Sequence, residues 1–175
     1  MSETIIDRLC LDRLRELFQL AGYRVETLMD PAASLAYLRS ATNGIAFDIR
    51  PGNMQPGDEQ VFVDLALIAV LHVQGEMPLD LVNRWNATRR FARLQFSPPF
   101  LALSFDVSLA GGVSPNHLRG QIEIWDQLVQ QLVTFLREEF AALARPRQAD
   151  VAETATMPAA ANGHIVDAGA AHPAR

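Results

Sequence analysis

The alternation of apolar and polar positions along the chain predicts a set of strands separated by helices. A strand that is buried on one side shows apolar residues at every second position. The clearest run covers residues 100–109, where one parity holds Leu101, Leu103, Phe105, Val107 and Leu109. Shorter runs of the same kind cover residues 23–30, 34–40, 45–50 and 93–97. With the apolar run at 61–73, these segments predict five or six strands.

Two interruptions of this pattern predict where the chain turns. Thr42-Asn43-Gly44 lies between two strand-like runs and predicts a hairpin turn. Residues 51–60 contain two prolines and two glycines and predict a loop. Residues 61–73 are apolar on both parities at their centre, which predicts a central strand covered on both faces there.

Apolar residues that recur every three or four positions predict about three helices. The first covers residues 5–21, with Cys10 on its apolar side as a small buried residue. The second begins near Pro78, and the third begins after Ser114 and Pro115, which suit the N-cap and the first helical position.

The third helix carries two rows of apolar side chains. The first row consists of Leu118, Ile122, Trp125, Val129, Leu132 and Leu136, and the second consists of Ile124, Leu128 and Phe135. One interpretation is a single broad stripe that faces the core. The other is that one row packs on the sheet while Ile124, Leu128 and Phe135 form a surface for a partner or a second subunit.

Composition limits the classes of function that the chain can have. Its 175 residues are 49% hydrophobic, enough for one domain, which we expect at residues 1–144. Residues 145–175 are Ala-rich and predict a disordered tail. The net charge of -5 argues against a nucleic-acid partner, because neutralising phosphates takes clustered Lys and Arg. No signal peptide or membrane-spanning run is visible, and Cys10 has no second cysteine to pair with, so we expect a cytoplasmic protein without membrane partners.

We find no arrangement of residues in the sequence that indicates catalysis. None of the four histidines forms a short metal-type spacing with another histidine, a cysteine or a carboxylate, and neither Gly-x-Ser-x-Gly nor a phosphate-binding loop occurs. We therefore expect no enzyme activity, no metal and no cofactor. The Gly111-Gly112 pair before the third helix suits a tight turn, and an anion site is the alternative.

One polar cluster, on the second helix, has two interpretations. It contains Asn83, Trp85, Asn86, Arg89 and Arg90. Its amides could bind a peptide backbone, or they could tie the end of the helix to the sheet while Trp85 fills the core. A different class of function, binding of a small anionic ligand or catalysis on the face from Asn86 to Arg90, is the alternative to a protein-binding role.

The order of these residues resembles the YbjN domain family. The resemblance spans residues 5–140 and is carried by the second half of the chain. Its motif residues are Asn83, Trp85-Asn86, Arg89-Arg90-Phe91, Leu109-Ala110-Gly111-Gly112-Val113-Ser114 and Trp125. The turn Ser97-Pro98-Pro99-Phe100 departs from the acidic, glycine-containing turn of the family pattern.

The resemblance implies an α+β fold like that of type III secretion chaperones, with helices packed on a twisted, mostly antiparallel sheet. Such chaperones are typically homodimers that bind extended segments of client proteins and have no catalytic centre. YbjN proteins are described as sensory-transduction or stress-linked regulators. We therefore expect a chaperone-like adaptor or regulator that binds proteins and is itself a homodimer.

Overall fold

The computed structural model describes residues 5–143, which form three helices and two antiparallel sheets. The helices are α1 (Leu11–Leu20), α2 (Leu79–Thr88) and α3 (Pro115–Leu143). The strands are β1 (Leu9–Cys10), β2 (Glu26–Met29), β3 (Ala36–Thr42), β4 (Ile45–Pro51), β5 (Met54–Gln55), β6 (Asp58–Phe62), β7 (Asp64–His72), β8 (Arg93–Ser97) and β9 (Phe100–Ser108). The predicted α+β class is confirmed, whereas the predicted tail at 145–175 lies outside the described residues.

The main sheet has six strands in the order β2-β3-β4-β7-β9-β8, with β7 near its centre. The predicted central strand at 61–73 is therefore confirmed only for β7, because residues 61 and 62 end β6 of the other sheet. β7 and β9 pair along their whole length, from Asp64 opposite Ser108 to His72 opposite Phe100. The predicted hairpin turn is also confirmed. It joins Thr42 to Ile45 through Asn43 and Gly44, whose φ angles of 50° and 78° are those that a two-residue hairpin turn requires.

All three helices pack on one face of the main sheet, and the core lies between them. Trp85 of α2 and Trp125 of α3 have no exposed surface. Trp125 lies edge-on to Phe47 of β4 at 5.4 Å between ring centroids and stacks with Phe105 of β9 at 6.5 Å. The large aromatic side chains therefore join α3 to the middle of the sheet.

The first helix, predicted at residues 5–21, is shorter than predicted. It begins at Leu11 as α1, and the preceding residues are extended. Ile6 and Val113 exchange two backbone hydrogen bonds, and β1 pairs with β6. The backbone groups of this segment are thus satisfied by neighbouring strands. Side chains alternate along a strand, so burial of Leu9 turns Cys10 towards solvent. Cys10 is exposed, which contradicts its predicted burial.

Two further expectations need correction. The segment 51–60 is more than a loop, since it contains β5 and the start of β6, which form a small sheet in the order β1-β6-β5. The centre of β7 is fully covered on only one face. Leu65, Leu67 and Ala69 are buried on the helix side, whereas Val70 on the other side is 52% exposed. Helices on both sides would be needed to cover both faces.

Candidate functional site

The outer face, the side of the main sheet that points away from the helices, carries an apolar patch at its centre. Strand alternation and register place side chains of β7 beside those of β9 on this face. The sheet patch, as we call it, consists of Ile68, Val70, His72, Phe100 and Ala102. The neighbouring pairs are Val70 with Ala102 and His72 with Phe100.

The sheet patch is accessible to a partner. Val70 is 52% exposed and Phe100 is 48% exposed, while Ile68 and Ala102 are partly buried. The ring of His72 lies edge-on to that of Phe100, with 5.7 Å between centroids. The helices of residues 5–143 leave this patch uncovered, and contiguous exposed apolar side chains are typical of surfaces that bind other molecules.

A charged cluster borders the sheet patch on the side of β3 and β4. The guanidinium of Arg39 donates to Asp48 at 2.7 Å, and that of Arg50 donates to Asp30 at 2.7 Å and to Asp48 at 3.2 Å. The guanidinium carbon of Arg50 also lies 4.3 Å from the centre of the Tyr37 ring. Each charge in this cluster therefore has a partner of opposite sign in the same chain.

Hydrogen bonding shifts the pKa values within this charged cluster. The hydrogen bond from Arg50, followed by those from the backbone N–H groups of Ala32 and Ala33, lowers the pKa of Asp30 below its ordinary value. The hydrogen bond to Asp48 raises the pKa of Arg39, and the bond to Asp30 is the main cause that raises the pKa of Arg50. The carboxylate of Asp30 and the guanidinium groups of Arg39 and Arg50 thus stay ionised at neutral pH.

On its other side, the sheet patch is bordered by an ion pair between Arg93 of β8 and Asp106 of β9, at 2.9 Å. Both side chains are more than 60% exposed, so the pair contributes little to stability. An apolar centre between charged borders is the arrangement found at protein-binding surfaces.

Asn86, predicted as part of the polar cluster, bonds to the edge strand β8 inside the chain. Its side-chain nitrogen donates to the carbonyl of Leu94, and its side-chain oxygen accepts from the N–H of Leu94, both at 2.9 Å. These two backbone groups point away from β9, since β8 is the last strand of the sheet. Asn86 therefore occupies part of the edge at which another strand would pair.

The other members of the polar cluster lie at and around the end of α2. The guanidinium of Arg89 lies 5.6 Å from the centre of the buried Trp85 ring, and that of Arg90 lies 5.4 Å from the Phe91 ring. Asn83 is exposed on α2. The structure brings Asn86 and Trp85 to the sheet and core but does not gather the amides and guanidinium groups into one pocket.

Gly111 and Gly112 form the turn between β9 and α3. Their φ angles are 81° and 85°, and the N–H of Gly112 donates to the carbonyl of Leu109. The hydroxyl of Ser114 accepts from the N–H of His117 at 3.1 Å, as an N-cap does. This turn fixes where α3 starts and so directs Trp125 into the core.

The second row of α3 lies largely against the chain's own core. Leu128 is 5% exposed, and Ile124 and Phe135 are partly buried against the core, with the Phe135 ring 5.4 Å from that of Trp85. Only the remaining surface of Ile124 and Phe135 is accessible. The partner or dimer surface that we predicted for these three residues stays a prediction.

The sheet patch itself was missed by sequence reasoning. Val70 lies in the run that was predicted to be covered on both faces, and Phe100 is the last residue of the turn that departs from the family pattern. The sequence did contain one sign of an open face. It predicts about three helices, which are too few to cover both faces of six strands.

These features define a class: an α+β protein whose helices cover one face of an antiparallel sheet while the other face stays open between ion pairs. The chain belongs to the YbjN family, because the model of that family, described as "Putative bacterial sensory transduction regulator", matches residues 11–138. The resemblance predicted from the motif residues is thereby confirmed. No curated protein and no solved structure matches the chain at a significant level.

Metal-binding clusters and membrane-spanning helices are both absent from the described residues. Within residues 5–143, no three histidine, cysteine or carboxylate side chains lie close enough to hold a metal ion. None of the helices in the same range combines the length and the apolar character that crossing a membrane requires.

Proposed function

We propose that this chain is a non-catalytic regulator that acts in the cytoplasm by binding other polypeptides, chaperone-like, and that it forms a homodimer. Membership of a family of regulators supports the general class. The observation that carries the proposal is the uncovered sheet patch, with Val70 and Phe100 about half exposed. The polypeptides that bind there include a second copy of the chain.

The energetics of the sheet patch favour a partner. Burial of a fully exposed Val or Phe side chain contributes about 1.5–3 kcal/mol, so burying the exposed halves of Val70 and Phe100 contributes about 2 kcal/mol in total. A stable dimer needs on the order of 800 Å² per partner. The patch supplies the apolar centre of such a surface, and the ion pairs on both sides supply its polar rim.

The mode of binding that we propose depends on whether the edge strand β8 is free to pair with another strand. A partner strand could add to β8 only by displacing Asn86 from the backbone of Leu94. The outer face needs no such rearrangement. We therefore propose that a partner segment lies across the sheet patch and contacts it with side chains, with Val70 and Phe100 at the centre.

The homodimer is tested by sedimentation velocity of the full chain at micromolar concentration. We expect a dimer for the natural sequence and a shift towards monomer for Val70→Asp, because a carboxylate would be buried at the centre of the interface. Leu79→Asp is the matched control, since Leu79 is 64% exposed in the first turn of α2, away from the sheet patch. A monomer in all samples removes the homodimer from the proposal.

The same measurement distinguishes the sheet patch from the α3 surface. If Ile124→Asp dissociates the dimer and Val70→Asp does not, the interface lies on α3 and the outer face is free. Binding of other proteins is tested separately by placing a photo-reactive phenylalanine analogue at Phe100 or at Leu79 in the native host. Crosslinks to a discrete partner from position 100 and not from position 79 support the proposal, and equal crosslinking from both positions contradicts it.

A further inference from the structure

A polar cavity of about 1010 Å³ lies apart from the sheet patch, between the end of α1, the strands β2 to β4 and the N-terminal half of α3. Its lining shares no residue with the sheet patch. The charged side chains in the lining are Arg24, Glu26, Arg39, Arg119, Glu123 and Asp126. The cavity is large enough for a small molecule, because ligand sites commonly measure about 300–1,000 Å³.

Asp126 of α3 is held in place by donors from three other positions in the chain. Its Oδ1 atom accepts hydrogen bonds from the Tyr23 hydroxyl at 3.3 Å, from the Thr42 hydroxyl and from the Asn43 side-chain amide at 3.4 Å. Within residues 5–143, the hydrogen bonds that Asp126 accepts on its side chain all go to this one oxygen. The Oδ2 atom therefore has no hydrogen-bond donor among the described residues.

Tyr23 packs between two aromatic rings and stays protonated. Its ring lies edge-on to Phe18 at 5.8 Å and to Phe47 at 5.9 Å between centroids, which fixes its position. Burial, followed by the negative charge of Asp126, raises the pKa of Tyr23 above its ordinary value. The phenol therefore remains a hydrogen-bond donor to the carboxylate at physiological pH, and the site is organised before any ligand arrives.

Some of the charged side chains that line the cavity have an ion-pair partner, whereas Asp126 has none among the described residues. Arg39 is paired with Asp48 at 2.7 Å, and Arg119 is paired with Glu123 at 3.2 Å. Asp126 forms no ion pair with any residue in the range 5–143, although it is partly buried. A partly buried carboxylate that forms no ion pair is stabilised by a ligand that brings a cation into contact with it.

We propose that this cavity binds a small molecule with an ammonium or guanidinium group, and that Asp126 binds this group through Oδ2. Charge-assisted hydrogen bonds of this kind are the strong ones in proteins. Arg24, which also lines the cavity, is placed to bind a carboxylate of the same ligand. The inference is independent of the polypeptide-binding role proposed for the outer face.

The same contacts have a purely structural use, which the experiment must separate from ligand binding. Tyr23, Thr42 and Asn43 all reach α3 through Asp126, so the carboxylate also attaches the β3–β4 hairpin to that helix. Asp126→Asn keeps a side-chain oxygen that accepts these hydrogen bonds but removes the charge. It should therefore preserve the attachment and weaken only the binding of a cation.

Isothermal titration calorimetry of the full chain with agmatine and with L-arginine tests the proposal, with citrate as an anionic control. Agmatine supplies the two cationic groups, and L-arginine adds a carboxylate. We expect saturable binding of at least one of them, and about ten- to a hundredfold weaker binding to Asp126→Asn, because a hydrogen bond to a charged group is of that strength. Asp106→Asn is the matched control, since it removes one carboxylate from the outer face.

A second variant covers the case in which Asp126→Asn does not fold. Gln127 lies on the exposed side of α3 and lines the cavity, so Gln127→Lys leaves the core intact and places a competing cation at the site. We expect it to weaken binding as well. Binding of L-arginine but not of agmatine supports the proposal and assigns Arg24 to the carboxylate. Failure of both cations to bind, binding of citrate alone, or equal effects of Asp126→Asn and Asp106→Asn would overturn the proposal.

Discussion

The contact between Asn86 and the backbone of Leu94 predicts a specific loss of stability when it is removed. Asn86→Ala deletes both hydrogen bonds, each 2.9 Å long, that attach α2 to the edge of the main sheet. Asn86 is itself exposed, so no cavity is created in the core. The change therefore isolates the contribution of the two hydrogen bonds.

The magnitude follows from the net value of such bonds. Each contributes about 0.5–1.5 kcal/mol, which gives about 1–3 kcal/mol for the pair. Alanine is a better helix former than asparagine by up to about 0.7 kcal/mol, which offsets part of the loss. Water can also reach the freed groups at the sheet edge. We therefore expect Asn86→Ala to lower the free energy of unfolding by about 1–2 kcal/mol.

Asn86→Asp adds a dependence on pH that alanine does not have. An ionised carboxylate accepts from the N–H of Leu94 but repels its carbonyl, whereas a protonated carboxyl donates to the carbonyl as asparagine does. The native state therefore favours the protonated form and raises the pKa of the introduced group. The protonated carboxyl therefore stabilises the folded Asn86→Asp variant. This stabilisation is fully present below about pH 3.9, the pKa of aspartate in the unfolded chain, and is lost as the pH rises through the higher pKa of the folded state.

Urea unfolding of the three proteins at several pH values measures both effects. At pH 7 we expect the midpoint of Asn86→Ala to fall by about 0.5–1 M with an unchanged slope. The stability of Asn86→Asp relative to Asn86→Ala should increase as the pH falls towards 4. The comparison at equal pH cancels the titration of the other carboxylates. An unchanged midpoint for Asn86→Ala, or a pH-independent difference between the two variants, refutes the reasoning.

Two other substitutions test the turn before α3 and the charged cluster. Gly112→Ala should lower the free energy of unfolding by about 1–2 kcal/mol, because its φ of 85° is strained for alanine and its new Cβ would meet Ile5. Gly120→Ala is the control, because a Cβ at this position of α3 would contact nothing, and it should stabilise the protein by up to about 1 kcal/mol. Similar urea midpoints for Gly112→Ala and Gly120→Ala would contradict this account. Asp30→Asn should be less stable than the natural sequence at pH 7, and the difference should shrink as the pH falls below about 4, because the lowered pKa of Asp30 means that its stabilising charge is lost there. A pH-independent difference in the same urea titration would argue against the ion pair with Arg50 as its cause.

Elements with a strong local signal could be predicted from the sequence. The alternation in β9 depends only on neighbouring residues, as do the Asn43-Gly44 turn and the Ser114-Pro115 start of α3. The N-terminal segment shows the limit of such signals. Its apolar spacing suits a helix, but Ile6 and β1 form hydrogen bonds with Val113 and β6, which are far away in the sequence. Tertiary pairing there overrides the local pattern.

The polar cavity could not be predicted for the same reason. Tyr23 and Thr42 lie 103 and 84 residues from Asp126 in the chain, and their contact depends on how α3 crosses the sheet. A sequence pattern indicates which side of an element is buried but not which elements meet at its ends. From the sequence alone, Asp126 therefore resembles any exposed residue of a helix. Its contacts become visible only in the folded chain, where the β3–β4 hairpin packs against α3.

The outer face follows from the number of helices relative to the size of the sheet. Six strands have two faces to cover, and residues 5–143 provide three helices, of which α1 and α2 have only ten residues each. Much of the inner face is thus left to α3, so burial of Leu128 in its second row serves the core. Within residues 5–143 the opposite side of the sheet therefore keeps apolar side chains exposed at Val70 and Phe100, which is where we propose that a partner binds.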